Sequence, residues 1–191
     1  MKFCSTCGSA DIALTTPEGD QRARYVCPAC HTVHYSNPKI VCGIVPVFED
    51  KVMLCLRGIE PRFGKWTLPA GFMENNETVE EGAQRELFEE AVATVALGPL
   101  LTVLSVPYIS QVHMMYLGTM SEAKFATTPE STEIRLFSEA EIPWKELAFR
   151  TVKTALEHYF ACRRRGEFTL LTAKIDSPFS RLPESRNYGR T

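Results

Sequence analysis

Gly71-Phe72-Met73-Glu74-Asn75-Asn76-Glu77-Thr78-Val79-Glu80-Glu81-Gly82-Ala83-Gln84-Arg85-Glu86-Leu87-Phe88-Glu89-Glu90 holds a helix start, a helix and a crowd of carboxylates. Thr78-Val79-Glu80-Glu81 has the form of a capping box, and Val79, Ala83 and Leu87 follow at helical spacing, which predicts a helix from about Thr78 to Ala91. On that helix Glu86, Glu89 and Glu90 fall on neighbouring positions of one side. Like charges so placed destabilise a helix by roughly 0.2 to 0.5 kcal/mol per pair, a repulsion that a bound dication would turn into attraction. Hard carboxylate oxygens suit magnesium or manganese, and Arg85 can orient a neighbouring glutamate by a charge-assisted hydrogen bond. By periodicity alone, such a helix more often presents a solvated acidic face.

Upstream, Lys39–Phe48 and Lys51–Leu56 are apolar strand-like runs separated by Glu49-Asp50, a hairpin in which Pro46 marks an edge or a bulge. A basic loop with Arg57, Arg62 and Lys65 follows. Then Pro69 and Gly71 mark irregular backbone before the helix. Downstream, residues 95–106, 111–119 and 133–137 read as strands, and Glu146–Arg165 as a final amphipathic helix whose terminal Arg163-Arg164-Arg165 complements the helix dipole. Residues 166–191 are polar and read as a tail that wraps a partner subunit or stays mobile.

Cys4-Ser5-Thr6-Cys7 and Cys27-Pro28-Ala29-Cys30 are two CxxC turns at the spacing of a four-cysteine zinc site. Four thiolates fill a tetrahedral site and leave no position for water, so a zinc ion held by Cys4, Cys7, Cys27 and Cys30 is structural. His31 and His34 are not needed as ligands. The remaining three of the seven cysteines, Cys42, Cys55 and Cys162, stand singly among apolar neighbours, the habit of buried, inert thiols.

The chain has 191 residues, 45% of them hydrophobic and 23% charged, enough for one ordinary domain and a small appendage. A formal net charge of −2 gives no global field for holding nucleic acid. No segment has the ~20 consecutive apolar residues that a membrane span needs, and Met1-Lys2-Phe3-Cys4 leads directly into the first CxxC rather than a signal peptide. A cytoplasmic protein is expected, in keeping with reduced cysteines.

Gly71, Glu77, Arg85, Glu86, Leu87, Glu89 and Glu90 match every spacing of the pattern Gx5Ex7REUxEE, where U is apolar. The chain thereby resembles the Nudix hydrolases, and the preceding cysteine pairs make it similar to their zinc-ribbon members. The resemblance implies an α/β (α+β) fold: a Nudix α/β/α sandwich with a mixed sheet. It divides the chain into a zinc ribbon at 1–36, a hydrolase domain at 37–165 and a tail at 166–191. It implies that Glu86, Glu89 and Glu90, with the backbone carbonyl around Gly71, bind magnesium or manganese, that Arg85 and Glu77 orient the group, and that the protein is a homodimer. The chain departs from the pattern at Val92, where the family has glycine. Valine tolerates positive φ poorly, so the helix is expected to continue or to leave by another backbone route.

The implied reaction is hydrolysis of the pyrophosphate bond of a nucleoside diphosphate linked to another group. For the general base the sequence offers Glu90 within the motif and Glu130 or Glu133 in the polar loop Pro129–Glu133, with Glu133 preferred. Arg57, Arg62 and Lys65 are candidates for the phosphates, Arg57 foremost, although a solvated basic loop also accounts for them. Tyr108, Phe63 and Trp66 could stack on a base, but such aromatics are more often core, so none is assigned. The family's NADH-cleaving members carry SQPWPFP after the motif, whereas this chain reads Ser105-Val106-Pro107-Tyr108-Ile109-Ser110-Gln111. NADH is therefore the alternative, while Lys65–Glu77, with Glu141-Ile142-Pro143-Trp144 and Leu147-Ala148-Phe149, resembles a zinc-ribbon subgroup related to plant FAD and ADP-ribose pyrophosphatases, which implies ADP-ribose or FAD as the expected substrate. A rival class is a nucleotide-sensing regulator that binds nucleic acid. The few basic residues of the ribbon, Lys2, Arg22, Arg24 and Lys39, make an extensive phosphate footprint, and hence a nucleic-acid partner, unlikely.

Overall fold

The computed structural model describes residues 1–176. Its backbone contacts divide into one unit at Met1–Asn37 and a second beginning at Pro38.

In the first unit, β1 (Ala13–Thr15), β2 (Arg24–Val26) and β3 (Val33–His34) form a three-stranded antiparallel sheet. The two CxxC turns are built alike. Gly8 N–H bonds back to Cys4 O at 2.9 Å and His31 N–H to Cys27 O at 2.8 Å, and both residues have positive φ, 76° and 58°. Cys4 and Cys27 are the only buried apolar side chains of this unit, so packing by itself supplies almost no core.

The second unit is a mixed sheet covered on both faces. Its strands are β4 (Lys39–Phe48), β5 (Lys51–Arg57), β6 (Trp66–Thr67) and β7 (Ala70–Phe72), followed after helix α1 (Val79–Ala91) by β8 (Ala96–Val106), β9 (Gln111–Thr119) and β10 (Ser131–Phe137). Helix α2 (Arg150–Arg165) and a last strand, β11 (Leu171–Lys174), complete it. The strand order is β10-β5-β4-β9-β8-β11, with β6 on β5 and β7 on β4. The β4–β9 and β8–β11 pairs are parallel and the rest antiparallel.

Pleat alternation distributes β4 to two cores. Ile44 joins Met53, Cys55, Tyr116 and Ile134 beneath Ala83, Leu87 and Ala91 of α1. Val45 and Val47 join Leu54, Leu68, Leu101 and Met115 against Val152, Leu156, Tyr159 and Phe160 of α2. A strand buried on both faces reads as a continuous apolar run, which is how β4 reads. Trp66 lies in the α2-side core with its ring edge-on to Phe137 at 4.9 Å, a contact worth about 0.5 to 1.5 kcal/mol beyond burial.

Several expectations need correction. Pro46 lies in a central strand, neither at an edge nor in a bulge; the β4–β5 ladder pairs only Val47 and Phe48, so at Pro46 it makes no demand for an N–H. The segment 66–72 holds two short strands where irregular backbone was expected. The last helix starts at Arg150 rather than Glu146, because Glu146 O accepts from Trp66 N–H and Ala148 N–H donates to Trp66 O, which keeps residues 146–148 extended. The tail expectation fails for residues 171–175: β11 extends the sheet beside β8 and Ile175 is buried with Leu104 and Val106. Beyond Asp176 that expectation falls outside the described residues. Val92 closes α1 in the left-handed conformation, φ 50° and ψ 32°, with its N–H on Phe88 O at 2.8 Å. The valine thus takes the glycine's backbone route, contrary to the expectation of a different exit.

Candidate active site and zinc centre

The capping box predicted at Thr78 is present: Thr78 Oγ1 accepts from Glu81 N–H at 3.2 Å, and a Glu81 carboxylate oxygen accepts from Thr78 N–H at 2.7 Å. This fixes the start of α1 about two turns before Glu86. Gly82 lets the helix approach its surroundings, since a Cβ there would lie 2.6 Å from Glu77 Oε1 and 2.7 Å from Cys42 Sγ.

Arg85 uses all five of its N–H groups. Its Nε and Nη2 grip the two oxygens of Glu77 at 3.0 and 2.9 Å, and Nη2 also donates to Phe72 O at 3.1 Å. Its Nη1 donates to Glu86 Oε1 at 2.7 Å and Glu89 Oε2 at 2.9 Å. Glu77 accepts in addition from Glu74 N–H at 2.6 Å. The Arg85 bonds, then the Glu74 N–H, hold the Glu77 carboxyl down at about 2. Arg85 thus ties the loop before α1 to the helix and orients Glu86.

Gly71 is glycine for space. A Cβ at this position would lie 2.3 to 2.4 Å from the carboxylate atoms of Glu86, and its φ is not positive. Glu90 is buried, 6% exposed, and accepts from Ala70 N–H at 3.3 Å. Burial, then the charge of Glu86, pushes the Glu90 carboxyl up to about 8; Arg57 opposes the shift. Burial likewise raises Glu86. Two desolvated carboxylates of like charge are a donor set that a hard dication would relieve, so Glu86 and Glu90, with the exposed Glu89 beside them, fit a divalent metal. Among the described residues only the four cysteines bring all their ligand atoms within 4.8 Å of one another. Glu86 and Glu89 are instead drawn towards Arg85.

The two candidate bases outside the motif, Glu130 and Glu133, are placed differently. Glu133 stands opposite Leu56 on β10, between Ser131 and Ile134. Ile134 and its partner Cys55 belong to the core beneath α1, whereas Leu56 packs with the core beneath α2. Glu133 therefore projects to the face away from the α1 carboxylates, where it meets Arg135 at 3.9 Å. The preference for Glu133 is corrected on this ground. Glu130 precedes β10, in the loop that Thr128 bonds to Glu90 O, and its charge is a minor upward push on Glu86 and Glu90. Its loop is docked by Gly58, whose N–H bonds to Glu130 O at 2.7 Å and whose missing side chain leaves room for Pro129 O. Thr128 caps the same loop and bonds to Glu90 O at 3.2 Å. Neither Gly58 nor Gly82 stood out in the sequence, because each is explained by a neighbour remote from it along the chain.

Arg57 leaves β5 beside this loop. Its Nε donates to Pro61 O at 2.9 Å and its guanidinium lies 5.3 Å from the Phe149 ring centroid. Lys65 is ion-paired with Glu146, and Trp66 is core. Phe63 is exposed, while Arg62 and Tyr108 line a cavity of about 440 Å³.

In the first unit, the sulfurs of Cys4 and Cys30 stand 3.6 Å apart, as do those of Cys7 and Cys27. Tetrahedral thiolates about 2.3 Å from zinc stand about 3.8 Å apart, so the four thiols fit zinc. Cys42, Cys55 and Cys162 are buried as expected, and burial raises the first two to about 11 and about 12.

Comparisons with known proteins agree with this geometry. Residues 2–36 match the Nudix N-terminal zinc-ribbon family and residues 38–170 the NUDIX domain family. A crystal structure of a NUDIX hydrolase from Nitrosomonas europaea superposes with a TM-score of 0.89 at 49% identity, covering 93% of this chain and 100% of that one. The NAD-capped RNA hydrolase NudC of Edwardsiella ictaluri is 30% identical over 69% of this chain and 49% of its own length. The human NAD-capped RNA hydrolase NUDT12 is 35% identical over 47% of this chain and 20% of its own length. The chain thus spans about half the length, or less, of these curated relatives.

Proposed function

The chain belongs to the Nudix hydrolase family, and from that premise we propose that it cleaves the pyrophosphate bond of ADP-ribose or FAD in a magnesium- or manganese-dependent reaction that releases AMP. The observation that carries this reading is the half-buried Glu86, held by Arg85, next to the buried Glu90, with Glu89, also on Arg85, beside them. Dications held there would neutralise phosphate oxygens and so let a nucleophile approach an otherwise repelling pyrophosphate. Glu77 and Arg85 act as positioning residues: by holding Glu86 they keep the donor set in place without rearrangement. Glu130 is proposed as the base that takes the proton from the attacking water, being a carboxylate from outside α1 whose loop is bonded to Glu90 O through Thr128. Glu90 then serves as a ligand, and Arg57, beside the loop of Glu130, bears on the substrate phosphates.

A second reading, NAD(H) or an NAD-linked RNA as substrate, is favoured by the names of the curated relatives. The ribbon itself offers little to a nucleic acid, since Lys2, Arg22 and Arg24 are balanced by Asp11, Glu18 and Asp20. A homodimer belongs to the proposal through the family resemblance and a cytoplasmic location through the metal-binding, reduced cysteine pairs; among the described residues no helix is long and apolar enough to cross a membrane.

The test is product analysis with ADP-ribose, FAD, NADH and an NAD-linked RNA, in parallel, with magnesium or manganese, for wild type and Glu89→Gln. AMP from ADP-ribose or FAD, with turnover in the variant reduced about a hundredfold, is the expected result. Turnover of NADH or the RNA alone would replace the leading substrate by the second reading. No metal-dependent turnover of any of them would sink the enzymatic proposal.

A further inference from the structure

The 440 Å³ cavity lies on the α2 face of the sheet, and its polar groups are unusually placed for a packing void. Tyr108, Trp144 and Phe149 contribute aromatic wall, Arg62, Arg150 and Lys153 contribute positive charge, and among the described residues no carboxylate lines it. His113 lies at its floor. It pairs across the sheet with Val41 and Leu104 and sits two residues from Met115 of the α2-side core, so it shares that face.

The ring of His113 is held by Gln111, whose Oε1 lies 2.8 Å from Nε2. Nε2–H donates to this carbonyl oxygen, which leaves the lone pair of the neutral imidazole on Nδ1. Among the described residues nothing bonds to Nδ1. Burial lowers this histidine to about 4, so the ring stays neutral near pH 7 and Nδ1 stays an acceptor. Thr151, in the first turn of α2, lines the same cavity and is buried, its hydroxyl without a partner among the described residues. An apolar pocket that holds polar groups without partners is matched to a ligand that supplies them. The cavity is also tied to the carboxylates: the Phe149 ring carries the Arg57 guanidinium, whose charge reaches Glu90.

We propose that this cavity seats a heteroaromatic ring of the substrate that bears an exocyclic NH2 donor, that His113 Nδ1 accepts from that donor, and that His113 thereby determines which ring is taken. The inference deepens the hydrolase reading and rests on it. Two rings of the candidate substrates carry such a donor, the adenine amine and the nicotinamide carboxamide, and the experiment separates them.

Calorimetric titration of the full chain without divalent metal would compare AMP with purine riboside 5′-monophosphate, which lacks the amine. A second pair, NMN and nicotinic acid mononucleotide, replaces the carboxamide by a carboxylate. In one pair the ligand with the donor should bind wild type about tenfold more tightly, the size of one well-made hydrogen bond. In His113→Leu that preference should vanish, and His113→Gln, which keeps an acceptor, should restore part of it. For the dinucleotide that the enzyme turns over, His113→Leu should raise KM about tenfold and leave kcat within about twofold. A wild type that shows no preference in either pair overturns the inference without recourse to a variant. So does a preference that survives in His113→Leu, which would make His113 an ordinary core histidine satisfied by Gln111. Metal-dependent hydrolysis measured on the same preparation keeps the two questions apart: if turnover persists while both pairs bind indifferently, only the inference falls.

Discussion

At position 71 the molecule has room for a hydrogen and nothing more, because the Glu86 carboxylate lies where a Cβ would stand. The glycine and the glutamate therefore specify one another through space although fifteen positions separate them. Arg85 acts in the same local manner, saturating its guanidinium on Glu77, Glu86, Glu89 and Phe72 O. Two predictions belong to this scale. Glu130→Gln should lower kcat about a hundredfold or more, the contribution of a positioned base, whereas Glu133→Gln on the opposite face of the sheet should leave kcat within about twofold. Equal losses in steady-state assays of the two variants would reject the assignment. The second concerns acid. Glu77 titrates near 2 in the folded protein against an ordinary 4.5, so the stabilisation it brings is fully present above about pH 4.5 and is lost as the pH falls towards 2. Thermal melts across that window should slope downward with acid in wild type, and Glu77→Gln should flatten the slope.

Helix α1 shows what an element can and cannot announce. Its start was legible because a capping box is a relation among four consecutive residues, and its acidic side because i, i+3 and i+4 neighbours share a face wherever a helix forms. Its end was not. Val92 adopts φ 50° against the preference of a β-branched side chain, since the Phe88 carbonyl must be satisfied and the next segment returns to bond Ala91 O through Ala126 N–H. Val92 is largely exposed, so Val92→Gly removes little packing and relieves the left-handed backbone. It should stabilise the protein by about 1 kcal/mol, raising Tm by about 2 to 4 °C, which a melting curve would read. A lower Tm would show that the valine side chain contributes more than its conformation costs. The first turn of α2 was likewise misplaced from the sequence, because the bridge to Trp66 that keeps residues 146–148 extended depends on a strand eighty positions earlier.

At the scale of the whole molecule, the two units rest on different physics. The Pro38 unit buries two cores against one sheet. The Met1–Asn37 unit buries only Cys4 and Cys27 among its apolar side chains, so its free energy of folding has to come from metal. One zinc per chain is expected by elemental analysis. Chelation should unfold residues 1–37, seen as loss of amide dispersion for those residues, while the resonances of the sheet unit keep theirs. Retention of ribbon dispersion in a zinc-free sample would refute the structural role. What the sequence determined by itself was everything set by short-range geometry: the helix start, the common side of Glu86, Glu89 and Glu90, the two CxxC turns, and a family motif that is itself a pattern of spacings. Only the tertiary structure decided which face of the sheet Glu133 occupies, that residues 171–174 pair with β8, that Gly58 docks the loop of Glu130, and that His113 looks into a cavity. Those outcomes depend on strand register, where a shift of one residue reverses the face of every side chain, and register is settled by partners distant along the chain.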